Sequence, residues 1–204
     1  MKIKLLHEID IVRQLGFDLN KLFYKHSASG ITIREYSISI VNRLLELSED
    51  CIESLERGRM ITASMTARGL LETAGTFIDF IDKMIRARNA NDKEKFRNTL
   101  RKHFFASREF ETELGIKSPH VADGIRFLDK HMPEASDIYN VLCEAVHPNW
   151  AGTGGLIMHN SRDSPIFMRS YFAICRSYDS LAATDKVSRS SFIGPLRPDM
   201  LLGW

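Results

Sequence analysis

Apolar residues recur at three- and four-residue spacing through most of the chain, and few stretches alternate with the two-residue period of a half-buried strand. The pattern predicts an all-α fold, a helical bundle of about five to seven helices built on two long antiparallel helices. Residues 3–25 read as a first helix with a weak point at Gly16, and the turn-forming run SASG at 27–30 closes this N-terminal arm of residues 1–30. Thr32 stands where an N-cap would, with Glu35 three residues on. This capping box opens a helix that runs to about Arg57 along Ile38, Val41, Leu45, Ile52 and Leu55.

Gly58 interrupts the pattern, and a second long helix follows from about Arg59 to Arg88, with Met60, Ala67, Leu70, Leu71, Ala74, Phe77, Ile81 and Ile85 on its apolar face. So short a break permits an antiparallel hairpin or one bent rod. After NAND at 89–92 the spacing predicts a charged helix to about Phe110 and a shorter one opened by Ser118 and Pro119. Another helix starts at Pro133 and Glu134 and ends at His147. Residues 148–165 read as a long loop, 166–184 as a last helix, and 186–204 as an irregular tail whose Phe192, Ile193, Leu201, Leu202 and Trp204 need burial. With no internal repeat or low-complexity segment, residues 1–204 read as a single helical domain.

At 44% hydrophobic the chain carries enough apolar material for a core, and a net charge of +2 argues against binding an anionic partner through bulk electrostatics. Cys51, Cys143 and Cys175 are far apart and odd in number and lack metal-type spacing, which indicates neither a disulfide framework nor a zinc site and fits a reducing cytoplasm; no cofactor is expected. Glu8 and Asp10 interrupt the N-terminus before a signal-peptide core can form. No uncharged apolar run approaches membrane-spanning length, so a cytoplasmic protein with no membrane partner is expected.

The second long helix carries the most informative polar residues. Between Met60 and Ile78 only Arg68 and Glu72 are charged; four residues apart, they share a face of an otherwise apolar segment, and Ser64, Thr76 and Asp79 extend the stripe. Such a pair needs polar company, because an unpaired buried charge costs several kcal/mol. The helix ending at His147 is the expected partner. Its Asn140, Glu144 and His147 form a second polar stripe, beside an apolar face of Ile138, Leu142, Ala145 and Val146. Pro148 places His147 at the helix C-terminus, where the macrodipole and Glu144 favour the imidazolium and poise the ring for proton transfer near neutral pH. On the alternative reading His147 only caps the last carbonyls and Arg68 and Glu72 only fix helix register.

Glu144-x-x-His147 also matches half of the pattern that di-iron bundles use twice, but no other histidine has an acid three residues before it. A lone metal would have to use Glu72, Glu144 and His147. Elsewhere, Lys83, Arg86, Arg88, Lys93, Lys95, Arg97, Arg101 and Lys102 make a local basic surface suited to phosphates. Glu46, Glu49, Asp50, Glu53 and Glu56 make an acidic one suited to a partner or a second subunit. GTGG at 152–155 is followed by no Gly-Lys-Ser/Thr and is not a P-loop.

RGLLE at 68–72, followed by YNVLCEAVHPNW at 139–150, resembles uncharacterised bacterial helical families related to the HEPN (higher eukaryotes and prokaryotes nucleotide-binding) superfamily. The resemblance spans about residues 60–150. It implies an α-helical bundle, often a homodimer, that binds RNA or a nucleotide, and in many members a metal-independent ribonuclease of toxin, phage-defence or RNA-processing systems. The superfamily's Arg upstream of its catalytic His is replaced here by Asn140, Val141 and Leu142, so only His147 carries over. In that reading His147 takes the 2′-hydroxyl proton and Arg68 supplies the guanidinium from the neighbouring helix. Glu72 and Glu144 orient them, and Tyr139 or Asn140 assists. Two other readings compete: a non-enzymatic interaction or regulatory module whose Arg68, Glu72, Glu144 and His147 only fix packing, and a metal-dependent helical-bundle enzyme.

Overall fold

A computed structural model describes residues 33–105, 119–148 and 165–177, together with Asp10, Arg13, Gln14, Ala183 and Thr184. Among these residues there are six helices and no strand, and no described helix is long and apolar enough to cross a membrane. They are α1 (Ile33–Glu56), α2 (Met60–Asn89), α3 (Lys93–Phe105), α4 (Val121–Leu128), α5 (Ala135–Val146) and α6 (Pro165–Ser177). Apart from a few residues, the expected arm at 1–30, loop at 148–165 and tail at 186–204 lie outside the described residues, as do Thr32 and the end of the charged helix beyond Phe105.

The two long helices form the hairpin, not the bent rod. Tyr36 of α1 meets Phe80 of α2 at a ring-centroid distance of 4.6 Å, Arg43 Nε donates to Thr73 Oγ1 at 3.1 Å, and Cys51 Sγ donates to the Ala63 carbonyl at 3.4 Å. Residue numbers rise along one helix as they fall along the other, so the pair is antiparallel. The reversal depends on Gly58, whose φ of 69° lies in the left-handed region. There the Arg59 N–H reaches back to the Ser54 carbonyl at 2.8 Å and the Gly58 N–H to that of Leu55 at 3.1 Å, satisfying two carbonyls that the helix end leaves open. A Cβ at Gly58 would meet nothing within 4 Å, so backbone conformation and not space calls for glycine.

Asn91, with φ 53°, repeats the device at the end of α2: the Asp92 N–H bonds the Ala87 carbonyl and the Asn91 N–H that of Arg88, each at 2.9 Å. Asp92 then starts the next helix, its Oδ1 accepting from the Lys95 N–H at 2.8 Å. The NAND run thus ends one helix and caps another.

Two apolar clusters hold the bundle. The larger joins the C-terminal half of α1 and the N-terminal half of α2 to α4, α5 and α6 through Leu44, Leu70, Leu71, Ile78, Leu128, Leu142 and Ile174. The smaller consists of Tyr36, Phe77, Phe80, Ile81 and Met84, with Phe96 and Leu100 of α3 laid over it. Fully burying side chains of this size stabilises the fold by about 1.5–3 kcal/mol each. Between the helices of the larger cluster, α4 crosses α2 where both backbones are bare. A Cβ built on Gly75 would stand 2.7 Å from the carbonyl carbon and oxygen of Gly124, and one on Gly124 would stand 2.8 Å from the Thr76 nitrogen.

The starts of α4 and α5 differ from expectation. His120 is the N-cap of α4, its Nδ1 accepting from the Ala122 N–H at 3.2 Å, while Ser118 lies outside the described residues. At α5, Glu134 adopts a left-handed φ of 74° and makes no side-chain cap. Asp129, from the preceding turn, does that work: its Oδ1 accepts from the Ser136 N–H at 2.9 Å and its Oδ2 from the Ser136 hydroxyl. At the other end of α5's partner, Arg176 Nη2 stands 3.5 Å from Glu134 Oε2, bringing the end of α6 to the start of α5.

Candidate functional site

Arg68 and Glu72 form the expected ion pair, with Nε 2.8 Å from Oε1. The side chains are 33% and 26% exposed, so the pair sits at the edge of the interface and is not sealed inside it. The same Glu72 oxygen accepts the Tyr139 hydroxyl at 2.9 Å, and the Arg68 guanidinium lies over the Tyr139 ring, 5.5 Å from its centroid. One carboxylate oxygen therefore links α2 to α5. Burial works to lower the Arg68 pKa, but the Glu72 hydrogen bond and nearby Cys143, Glu72 and Tyr139 outweigh it and raise it. Burial first, then the bond and charge of Glu72, push the Tyr139 phenol up to about 12.

The partner residues on α5 are rotated from those expected. Ile138, Leu142 and Ala145 enter the core, and Tyr139 and Cys143, one turn apart on a flank of that face, are half-buried and meet the Arg68 stripe. Asn140, Glu144 and His147 come next around the helix and are exposed. His147 does end the helix: its ψ is 142°, in line with the restriction that Pro148 imposes, and its N–H bonds the Cys143 carbonyl at 3.1 Å. Cys143 was not among the residues expected here; its position four after Tyr139 was the available signal. Among the described residues no three His, Cys, Asp or Glu side chains are placed to hold a metal, so Glu72, Glu144 and His147 do not converge as a ligand set.

The basic residues divide by environment. Lys83 and Arg86 on α2 are each matched by an acid one turn before, Asp79 at 2.5 Å and Asp82 at 2.8 Å, and Arg88 is half-buried. On α3 the residues Lys93, Lys95, Arg97, Arg101 and Lys102 are exposed, and the helix has five bases against one acid, Glu94. Its inner face explains the arrangement: Phe96, Leu100 and His103 fall at four- and three-residue spacing and turn inward with Thr99, leaving the bases outside. The acids Glu46, Glu49, Asp50, Glu53 and Glu56 are all exposed on the C-terminal half of α1, where Arg13 meets Glu49 at 2.6 Å and Arg57 meets Glu53 at 2.5 Å.

His103 is the titratable group that charge counting overlooks. Its ring lies 5.1 Å from that of Phe80 and 6.2 Å from that of Tyr36, and its Nδ1 is buried without a hydrogen-bond partner among the described residues. Burial first, then the positive charges of Lys83 and Lys102, pull its pKa down to about 4. Tyr36 beside it is pushed well up, by burial and then by Asp79.

Against protein families, curated proteins and solved structures, the chain has no match.

Proposed function

We propose that this helical bundle binds RNA through the outer face of α3, without cleaving it. The observation that supports this reading is that Lys95, Arg97, Arg101 and Lys102 stand exposed on a helix anchored by its opposite face, with no ion pair among the described residues. Cations held in this way displace the counterions of a phosphate backbone on contact, which is the source of sequence-independent affinity for nucleic acid. The reading keeps the binding role implied by the HEPN-like resemblance and sets aside its chemistry. Arg68 is tied through Nε to Glu72 and lies over the Tyr139 ring, whereas His147 is exposed further around α5 and takes no part in that tie. The Arg68, Glu72 and Tyr139 seam is then a tie between α2 and α5.

The test uses a fluorescein-labelled single-stranded RNA of mixed sequence, titrated with protein at several salt concentrations. The triple variant Arg97→Glu, Arg101→Glu, Lys102→Glu is expected to weaken binding at least tenfold and to lower the salt slope by about two to three. Equal binding by the variant, or none by the parent, overturns the reading. The same RNA, incubated without metal, is expected to stay intact; cleavage that disappears in His147→Ala overturns the non-enzymatic half.

A further inference from the structure

The Arg68 guanidinium is fixed on two sides and open on a third. Its Nε edge is held by Glu72 and its face by the Tyr139 ring, while Nη1 and Nη2 meet no acceptor among the described residues. The side chain is 33% exposed, so these two donors are within reach of a solute. A guanidinium with a free pair of parallel N–H groups in a fixed plane matches a planar anion with two oxygens. The surroundings add an apolar group: Met65, one turn before Arg68 on the same side of α2, is 57% exposed.

Glu72 Oε1 stands 2.8 Å from Arg68 Nε, so the pair is close to neutral as a unit and does not reward a second negative charge on the ligand. Shape and apolar contact decide between anions instead: a planar carboxylate matches the plane of the Nη1 and Nη2 fork, and an organic body attached to it has the exposed Met65 to lie against, a contact that inorganic phosphate lacks.

We propose that Arg68 is the anchor of a second binding site, separate from the α3 face, for a small organic carboxylate whose two oxygens are held by Nη1 and Nη2. Glu72 and Tyr139 are positioning residues that hold the guanidinium plane, and Asn140 and His147 stand exposed further around α5.

Sodium benzoate is the probe, followed through the Arg68 Nε–H resonance of ¹⁵N-labelled protein, with benzamide as the neutral analogue and inorganic phosphate as the competing anion. The expected result is a saturable shift with benzoate in the roughly millimolar range, none with benzamide, and at least tenfold weaker displacement by phosphate. Arg68→Lys keeps the charge and loses the fork. Followed instead by the Tyr139 ring resonances, it is expected to weaken benzoate binding about tenfold while the circular dichroism spectrum stays unchanged. No saturable shift with benzoate, equal competition by phosphate, or full affinity in Arg68→Lys overturns the proposal. None of these outcomes bears on RNA binding by α3.

Discussion

Gly75 and Gly124 bring the backbones of α2 and α4 into direct contact, so close that a methyl group on either would stand under 3 Å from main-chain atoms of the other helix. Main chain cannot rotate away as a side chain can, so accommodating a methyl group means moving a helix. Gly75→Ala is expected to destabilise the fold by about 3 kcal/mol, at the upper end of what overpacking costs. Because both substitutions push the same two helices apart, Gly75→Ala with Gly124→Ala should cost clearly less than the sum of the single changes. Urea unfolding of the three variants checks both statements, and strict additivity would show that the helices do not share this contact.

Removing the Tyr139 hydroxyl tests the tie between α2 and α5. Tyr139→Phe keeps the ring under Arg68 and should cost about 1 kcal/mol, the net value of one hydrogen bond to a charged acceptor that keeps its other partner. Glu72→Ala should cost about 1–2 kcal/mol and not the 3–5 typical of a broken buried ion pair, since Arg68 is one-third exposed and gains water in exchange. Denaturant midpoints of the two variants distinguish an edge pair from a sealed one.

Acid should act through His103. Its pKa is lowered in the folded state, so its contribution to stability is complete above the unfolded value of about 6.5 and is lost as the pH falls toward about 4. The difference corresponds to on the order of 3 kcal/mol, the cost of charging an imidazole between Tyr36 and Phe80 under Lys83 and Lys102. His103→Phe should flatten the stability profile between pH 6.5 and 4. A profile identical to that of the parent chain would assign the acid sensitivity to other groups.

Gly58→Ala isolates conformational strain from packing. Nothing lies within 4 Å of the added methyl, so the expected loss of about 1–2 kcal/mol comes only from holding alanine at a φ of 69°. Gly58→Asn should lose less, because asparagine tolerates that region. Thermal unfolding of both variants gives the comparison.

The α1–α2 hairpin was legible because a 3.6-residue apolar period, maintained over 24 and 30 residues, leaves a helix only one face to bury. The Arg68–Glu72 pair was legible for a related reason: charges isolated in such a helix need each other. The rotation of α5 was not. Asn140, Glu144 and His147 have helical spacing of their own, and which stripe meets Arg68 depends on how Ile138, Leu142 and Ala145 divide between the neighbouring helices. That is a property of three packed helices, which one helix's periodicity does not contain. The caps show the same limit. Ser136 donates its hydrogen bonds to Asp129, seven residues back across a turn, beyond the reach of a local capping motif.

The antiparallel hairpin has an electrical consequence. The exposed acids of α1 lie toward Gly58, whereas α3 and its bases lie toward the other end of α2, a helix of 30 residues and about 45 Å. Arg13 and Arg57 reduce the acidic end without cancelling it. Among the described residues, acids and bases thus stand toward opposite ends of the hairpin, as in a long dipole. An external field acts on such a dipole as a torque, felt most within about a Debye length, roughly 10 Å, of its source.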